Sequence, residues 1–355
     1  MKLSTQQQQA FDQIMAFKDN DEKRFVLGGY AGTGKSTLSR LISKEFGDTT
    51  VCAYTGKAAN VLRDMGENAS TVHGAIYTPM GKDDNGELKF GLDHESSIKK
   101  SDLVIVDEFS MLPEKIIRDI ETLAKKVLYL GDPFQLPPVN GNCILSPNFF
   151  LEEIHRQALD SPIIRYATDV REGRALCFSE HPKFVYQPRA HFDCEDYEAA
   201  DQIIVGYNKT RIAWNNRFRQ KLGFEGHPLP CAGDKLICTK NNHERGLFNG
   251  MIGYAKADAR QVGYDEISLD FEDKQNIPVW EGEFKGETVY PAARKGKPLE
   301  RFDYAYAITC HKSQGSEFDN VLIYNQPIGA DAVEKRRWLY TAITRGKKKV
   351  SLVQP

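Results

Sequence analysis

The sequence predicts an α/β protein with doubly wound parallel sheets, and three observations predict it. Up to about Leu145, short apolar runs recur at Arg24–Leu27, Thr50–Tyr54, Asp102–Val106 and Val127–Leu130. Each is apolar on both faces, as strands buried in a parallel sheet are. Helix-like stretches separate them, at Thr5–Ala16, Ser36–Glu45, Lys57–Met65 and Pro113–Leu123, which gives a βαβ series. Lastly, the first strand runs straight into a glycine-rich turn and then a helix, the setting in which such folds bind phosphate.

That turn carries the most specific signal in the chain. Gly29 to Ser36 reads G-Y-A-G-T-G-K-S, a complete G-x-x-x-x-G-K-[ST] phosphate loop. Gly29, Ala31, Gly32, Thr33, Gly34 and Thr37 surround the phosphates, with backbone N–H groups turned inward and the helix N-terminus adding its positive end. Lys35 reaches the β- and γ-phosphates, and the Ser36 hydroxyl takes a place on Mg²⁺. The chain is expected to bind ATP with Mg²⁺.

Two further strand ends carry polar groups. Leu103-Val104-Ile105-Val106 ends in Asp107-Glu108. Beside a phosphate loop, Asp107 is a second Mg²⁺ ligand and Glu108 a general base for the attacking water. Val127–Leu130 is followed by Gly131-Asp132-Pro133-Phe134-Gln135-Leu136-Pro137-Pro138. Taken alone, that stretch reads either as a proline-rich turn or as a glutamine, Gln135, that reports on the γ-phosphate.

Two segments depart from the α/β pattern. Ile76–Leu92 has Asn85-Gly86 at its centre with strand-like flanks, a strong hairpin signal. From about Gly223 to Arg301, glycines and prolines recur and short alternating stretches replace helices, at Lys235–Thr239, Gly250–Ala255, Glu266–Phe271 and Glu287–Tyr290. This reads as a small all-β insertion. Before it lie a helix at Ser161–Gly173, a strand at Gln202–Tyr207 and a basic helix at Lys209–Lys221. After it the α/β pattern resumes with Tyr304–Thr309, Asn320–Ile323, Asp331–Ile343 and Val350–Val353.

Composition narrows the class without deciding it. At 355 residues the chain has length for two or three domains. Its hydrophobic (41%) and charged (27%) fractions are those of a globular protein in water. A net charge of −2 announces no global basic field, although a local basic groove is compatible with it. No apolar run is long enough for a bilayer, and the polar N-terminus has no leader character, so a cytoplasmic, membrane-free protein is expected. The seven cysteines are scattered, without a C-x-x-C pair, and read as reduced thiols. Eight histidines show no metal-ligand spacing.

The motifs taken together resemble a known family. Leu3-Ser4-Thr5-Gln6-Gln7-Gln8-Gln9-Ala10 resembles the adenine-reading glutamine motif of superfamily 1 helicases, with Gln7 the reading residue. Ala53-Tyr54-Thr55-Gly56-Lys57-Ala58-Ala59 resembles motif Ia, and Ser70-Thr71-Val72-His73 the T-x-H element after it. Asp107–Met111 looks like motif II, Gly131–Val139 like motif III and Glu153–Gln157 like motif IV. Ala307–Phe318 looks like motif V and Leu339–Gly346 like motif VI. Order and spacing cover nearly the whole chain and are most similar to the superfamily 1B branch of RecD and Dda, in a compact, phage-like form.

The resemblance implies two RecA-like P-loop domains, with a β-hairpin insertion in the first and a small SH3-like β insertion in the second. The implied limits are 1–145 for the first domain, with its pin at about 74–100, 146–222 and 302–355 for the second, and 223–301 for the β module. It implies an ATP-dependent helicase that moves 5′ to 3′ on single-stranded DNA and parts duplex with the pin. The alternatives it leaves are a translocase that strips protein from DNA and a RecD-like subunit that needs a partner to unwind. It places Lys35, Asp107, Glu108 and Gln135 in the catalytic site, together with Arg156 and Arg345 from the second domain. Gly315 and Glu317 of motif V join the nucleotide set. Thr55, Lys57, Thr71, His73, Thr309, His311 and Ser316 offer groups suited to DNA phosphates, which position a strand without reading it. Phe134, Phe248 and Tyr54 are candidate stacking rings, and Phe90 and Tyr77 candidate pin residues. Expected partners are single-stranded DNA, single-strand/duplex junctions and, with the protein a monomer, replication or recombination proteins. A P-loop kinase would need neither Arg156, Arg345 nor motif V.

Overall fold

Alternation along the central strands builds the first domain. The computed structural model describes residues 3–64, 66–82, 88–138, 144–154, 160–242, 244–287 and 299–355. Its first strands are β1 (Arg24–Gly29), β2 (Thr49–Ala53), β3 (Ala69–Thr71), β4 (Tyr77–Lys82), β5 (Leu88–Leu92), β6 (Leu103–Asp107), β7 (Val127–Gly131) and β8 (Phe149–Leu151). Six of them form a parallel sheet in the order β3-β2-β6-β7-β1-β8. Val104, Val106, Val127 and Tyr129 point into one core, shared with the helices Val72–Ile76 and Glu114–Leu123. Their neighbours Leu103, Ile105, Leu128 and Leu130 point into the other, under the helices Thr5–Asp19 and Lys35–Phe46. A strand with this pattern has no solvent face, which is why each one reads as a continuous apolar run.

β4 and β5 stand apart as an antiparallel ribbon, with a bulge between Pro79 and Gly81. The expected turn at Asn85-Gly86 lies outside the described residues.

The second half repeats the plan. It contributes β9 (Ser179–His181), β10 (Phe184–Pro188) and β11 (Gln202–Val205). An interruption follows: β12 (Lys235–Cys238), β13 (Ile252–Tyr254), β14 (Arg260–Gly263), β15 (Glu266–Phe271), β16 (Lys274–Trp280) and β17 (Phe302–Tyr304). The sheet is completed by β18 (Ala307–Thr309), β19 (Phe318–Tyr324) and β20 (Gly346–Gln354), in the order β18-β11-β19-β20-β10-β9, with only β9 antiparallel. Ile204, Val321 and Ile323 face the helices Pro162–Glu172 and Ala332–Ile343, and Ile203, Val205 and Leu322 face the helix Asn208–Lys221.

The interruption is all β: two three-stranded antiparallel sheets, β13-β12-β17 and β14-β15-β16. They close on one core that includes Leu236, Leu269, Phe271, Val279 and Phe302. A buried ion pair fastens this module to the second domain. Arg219, on the helix Asn208–Lys221, donates from Nε to both carboxylate oxygens of Asp234 at 3.1 Å, and the Tyr306 hydroxyl donates to Oδ1 at 2.9 Å. Arg211 of the same helix pairs with Asp303 at 2.5 Å. The basic helix thus spends two of its cations on the module and not on a solvated face.

The stretch expected as one strand over Tyr304–Thr309 is two. β17 pairs with β12 in the module, whereas β18 pairs with β11 in the α/β sheet. The chain crosses between sheets at Ala305-Tyr306, and a continuous apolar run hides that crossing. β3, β8, β9, β10, β14 and β16 have no counterpart among the expected strands; most span only three or four residues, and β16 is rich in polar residues.

Candidate active site

The phosphate loop sits at the C-terminal end of β1, where open α/β sheets bind ligands. Gly32 and Gly34 have φ of 80° and 78°, left-handed conformations that let successive N–H groups turn inward. Gly34 is also the N-cap of the helix Lys35–Phe46. Lys35 Nζ donates to the carbonyls of Gly29 at 2.7 Å and Tyr30 at 2.9 Å, which holds the ammonium within the loop.

Gln7 is buried against the same loop. Its Nε2 donates to Thr33 O at 3.1 Å and its Oε1 accepts from Ser4 N at 3.1 Å, closing a capping box on the first helix. The glutamine therefore ties the N-terminal helix to the phosphate loop.

Asp107 ends β6, and Glu108 follows it with φ 60° and ψ 46°. A non-glycine residue in that left-handed region is uncommon and costs conformational energy. Glu108 N donates to Asp107 Oδ1 at 2.9 Å. Burial pushes both carboxyls above their usual range. Opposing it, Lys35 lowers Asp107, while Arg345 and then Lys35 lower Glu108. The two cations reach Glu108 from different domains.

Arg345 is buried at the end of the helix Ala332–Ile343. Its Nε donates to Thr341 O at 3.1 Å and its Nη1 to Ser316 O at 3.3 Å, so motifs V and VI fix the guanidinium jointly. Gln135 is buried too, and its Oε1 has no hydrogen-bond partner. An unpartnered buried acceptor of this kind is costly in a finished core. Arg156 lies outside the described residues. Glu317 is exposed and pairs with Lys347 at 3.4 Å.

The two domains meet around these groups. Tyr340 accepts a hydrogen bond from Ala31 N at 3.1 Å and donates one to Asp132 Oδ2 at 2.5 Å. Leu136 N donates to Thr341 Oγ1 at 3.0 Å, and Gln314 Nε2 donates to Leu136 O at 2.8 Å. The Arg171 guanidinium lies 3.5 Å from the Tyr30 ring centroid.

The groups expected on DNA divide by exposure. Thr55 abuts Gly315: a Cβ on that glycine would stand 2.7 Å from Thr55 Oγ1, so motifs Ia and V touch. Gly315 also has φ 68°, a second reason for glycine there. Phe248 of the β module lies against Gly56, where a Cβ would meet its own at 2.2 Å. Lys57 is mostly buried, with Nζ 4.3 Å from the Phe318 ring centroid, and burial lowers its pKa to about 8. His73 packs between Tyr54 and Tyr77 at 5.7 Å from each ring. Thr309 caps the short helix that carries His311, and burial lowers the His311 pKa.

Other expected contacts have structural employment. Thr71 is buried, and its hydroxyl accepts from Gly74 N at 3.0 Å as a helix cap. Ser316 is buried, and its carbonyl accepts from Arg345. Phe134 packs edge-on against Tyr340 at 5.3 Å within the interdomain core, because the turn after β7 folds inward. Tyr77 hydrogen-bonds Asp119 of its parent domain and is not a free pin ring. Phe90 is 57% exposed and Met80 70% exposed, so the described part of the hairpin presents apolar side chains to solvent.

A family model described as AAA domain matches residues 2–181, half of the chain, and a UvrD-like helicase C-terminal domain matches residues 304–353. The ATP-dependent RecD2 DNA helicase of Deinococcus radiodurans is 27% identical over 97% of this chain and 48% of its own length. The helicase Dda of Enterobacteria phage T4 is 27% identical over 48% of this chain and 43% of its own. A solved structure of Pif1 helicases on forked duplex DNA superposes with a TM-score of 0.58, at 19% identity over 99% of this chain and 92% of that one. The chain belongs to the AAA-domain family, and it is similar to the superfamily 1B helicases RecD2 and Dda. It spans less than half the length of the RecD2 relative. The likeness to Pif1 supports two RecA-like domains.

Within that family frame, reading the motifs missed Asp132, Arg171, Gln314 and Tyr340. Tyr340 and Asp132 sit inside quoted motifs, but nothing in a one-dimensional pattern shows that they meet. Arg171 lies on an ordinary amphipathic helix and carries no signal at all.

Proposed function

We propose that the protein is an ATP-driven DNA helicase that translocates 5′ to 3′ on single-stranded DNA and separates duplex at a junction. One observation carries the reading: Glu108, sequestered in the cleft, feels Lys35 from its own domain and Arg345 from the other. Hydrolysis then depends on how the domains meet, which is what a motor requires. Glu108 takes the proton of the attacking water; burial raises its pKa to about 7, which suits a general base, and the cations of Arg345 and Lys35 limit that rise. Lys35 and Arg345 are placed to balance charge that develops on the transferring phosphoryl group. Gln135 offers its unpartnered Oε1 in the same cleft.

The donor set also fits the metal that such chemistry uses. Ser36 and Asp107 are hard oxygen ligands suited to Mg²⁺, which would neutralise phosphate charge between them.

DNA is proposed to cross where motifs Ia and V touch. Thr55, Lys57, His73, Thr309 and His311 supply phosphate contacts there, and Phe248 supplies a stacking ring from the module. The β4–β5 ribbon, with Phe90 and Met80 exposed, is the proposed wedge. We place the protein in the cytoplasm of a bacterial or phage-infected cell, acting as a monomer beside replication or recombination proteins.

Strand displacement on matched duplexes with a 5′ or a 3′ single-stranded tail tests the reading, with Lys35→Ala as control. ATP-dependent displacement from the 5′ tail alone is expected. Displacement from the 3′ tail would overturn the polarity. ATPase stimulated by single strands without displacement would replace the helicase with a translocase, or with a subunit that unwinds only alongside a partner.

A further inference from the structure

The cleft holds a hydrogen-bonded relay that crosses between domains. Tyr340 is 1% exposed and comes from the second domain, yet both partners of its hydroxyl belong to the first. Ala31 N, in the phosphate loop, donates to it at 3.1 Å. It donates in turn to Asp132 Oδ2 at 2.5 Å, just beyond β7. Asp132 is 1% exposed, and its other oxygen accepts from Phe134 N at 2.9 Å, which shapes the turn that carries Gln135. On the far side, Thr344 N donates to Tyr340 O at 3.0 Å and Arg345 Nε to Thr341 O at 3.1 Å. The Arg345 guanidinium is thus set by the same helical turn that Tyr340 anchors.

We propose that Tyr340 is a positioning residue, an interdomain latch that holds Arg345 in register with the phosphate loop. The proposal rests on the ATPase reading above. Three observations favour a specific latch over ordinary packing. The hydroxyl is saturated by one donor and one acceptor from two separate segments of the opposite domain. Asp132 is a buried carboxylate, which needs a strong donor to stay charged. The neighbouring cross-domain bonds, from Leu136 N to Thr341 and from Gln314 to Leu136 O, hold the same two segments together. A tyrosine kept for its ring alone would need none of these.

Tyr340→Phe tests this directly, because it keeps the ring against Phe134 and removes only the hydroxyl. Single-strand-stimulated ATPase should lose about tenfold or more in kcat, while the Kd for a fluorescent ADP analogue changes by less than about threefold. The diagnostic readout is a double-mutant cycle with Arg345→Ala. If Tyr340 acts through Arg345, Tyr340→Phe should cost less than about twofold once Arg345 is gone. An equal loss in both backgrounds, or a Tyr340→Phe rate within about twofold of the parent, would overturn the latch. Should Tyr340→Phe not fold, Asp132→Asn takes its place: with its oxygen kept on Phe134 N, its NH2 faces the Tyr340 hydroxyl and removes that acceptor, so the same non-additive loss is expected. If the unsubstituted protein itself showed no ATPase dependent on Lys35, the reading of the site would fall and the latch with it. That result is distinct from an active enzyme with an additive cycle.

Discussion

The two α/β domains share a plan but arm their common face differently. The first presents groups from strand ends: a phosphate loop after β1, Asp107-Glu108 after β6 and the Asp132–Gln135 turn after β7. Among the described residues, the second presents side chains mainly from helices: Tyr340, Thr341 and Arg345 on and just after Ala332–Ile343, and Arg171 on Pro162–Glu172, with Gln314 from motif V beside them. Strand ends in a packed sheet are rigid, so the first domain can hold nucleotide alone. A helix that touches the cleft through side chains can shift as a unit. On the proposed reading, binding falls to the first domain and turnover to the contact between them.

The largest expected effect falls on the first domain. Lys35→Ala removes the one cation within the phosphate loop and should abolish ATP hydrolysis and weaken nucleotide binding together. Binding titrations beside steady-state rates check it; normal turnover would end the assignment of this loop. Next comes Arg345→Ala, which should cost roughly 10³–10⁵ in kcat, as loss of an arginine finger does, with nucleotide affinity nearly kept. Hydrolysis at the parental rate would mean that the second domain only covers the site. The split between these variants, binding lost in one and kept in the other, is the comparison in measurable form.

A third change probes the module and not the cleft. Arg219→Ala leaves Asp234 buried without its cation, a kind of deletion that costs about 3–5 kcal/mol. Chemical denaturation should show the module melting ahead of the α/β domains. A loss under about 1 kcal/mol would mean that the Tyr306 hydroxyl and the Cys231 N–H can hold the buried carboxylate without a cation.

How far the sequence could be read follows from the same contrast. Chemistry carried on a contiguous segment is legible: strand, glycine turn, lysine and helix are neighbours in the chain, and their spacing is their geometry. Asp107-Glu108 was legible for the same reason. Arg345 was reached only through the resemblance of its motif, since its partners at Ser316 and Thr341 come from separate turns. The relay through Tyr340 was not legible, because Ala31, Asp132 and Tyr340 come from three distant segments. Thr71 and Phe134 are residue types that suit a DNA contact, and the sequence does not show that Thr71 caps a helix or that the half-buried Phe134 packs on Tyr340. The Tyr304–Thr309 run hid a change of sheet, because two short buried strands in succession look like one long one.

The smallest effect concerns the hairpin, and it separates hydrolysis from its mechanical use. Phe90 lies on β5 opposite Pro79, and its side chain is mostly exposed. Tyr77, at the base of the same ribbon, is tethered to Asp119 and so anchors the hairpin to its domain. An exposed apolar ring on an anchored ribbon contributes little to the fold, so Phe90→Ala should leave the melting temperature and the stimulated ATPase nearly unchanged. If the ring wedges against a terminal base pair, losing it removes a stacking contact worth roughly 1–3 kcal/mol, about five- to hundredfold in the rate of duplex opening. Unwinding should therefore fall while ATP turnover on single strands holds. Tyr77→Phe, which cuts the tether but keeps the ring, should reduce unwinding less. Equal losses of ATPase and unwinding in Phe90→Ala would move that residue from the duplex to the motor, and the hairpin would then belong with the cleft.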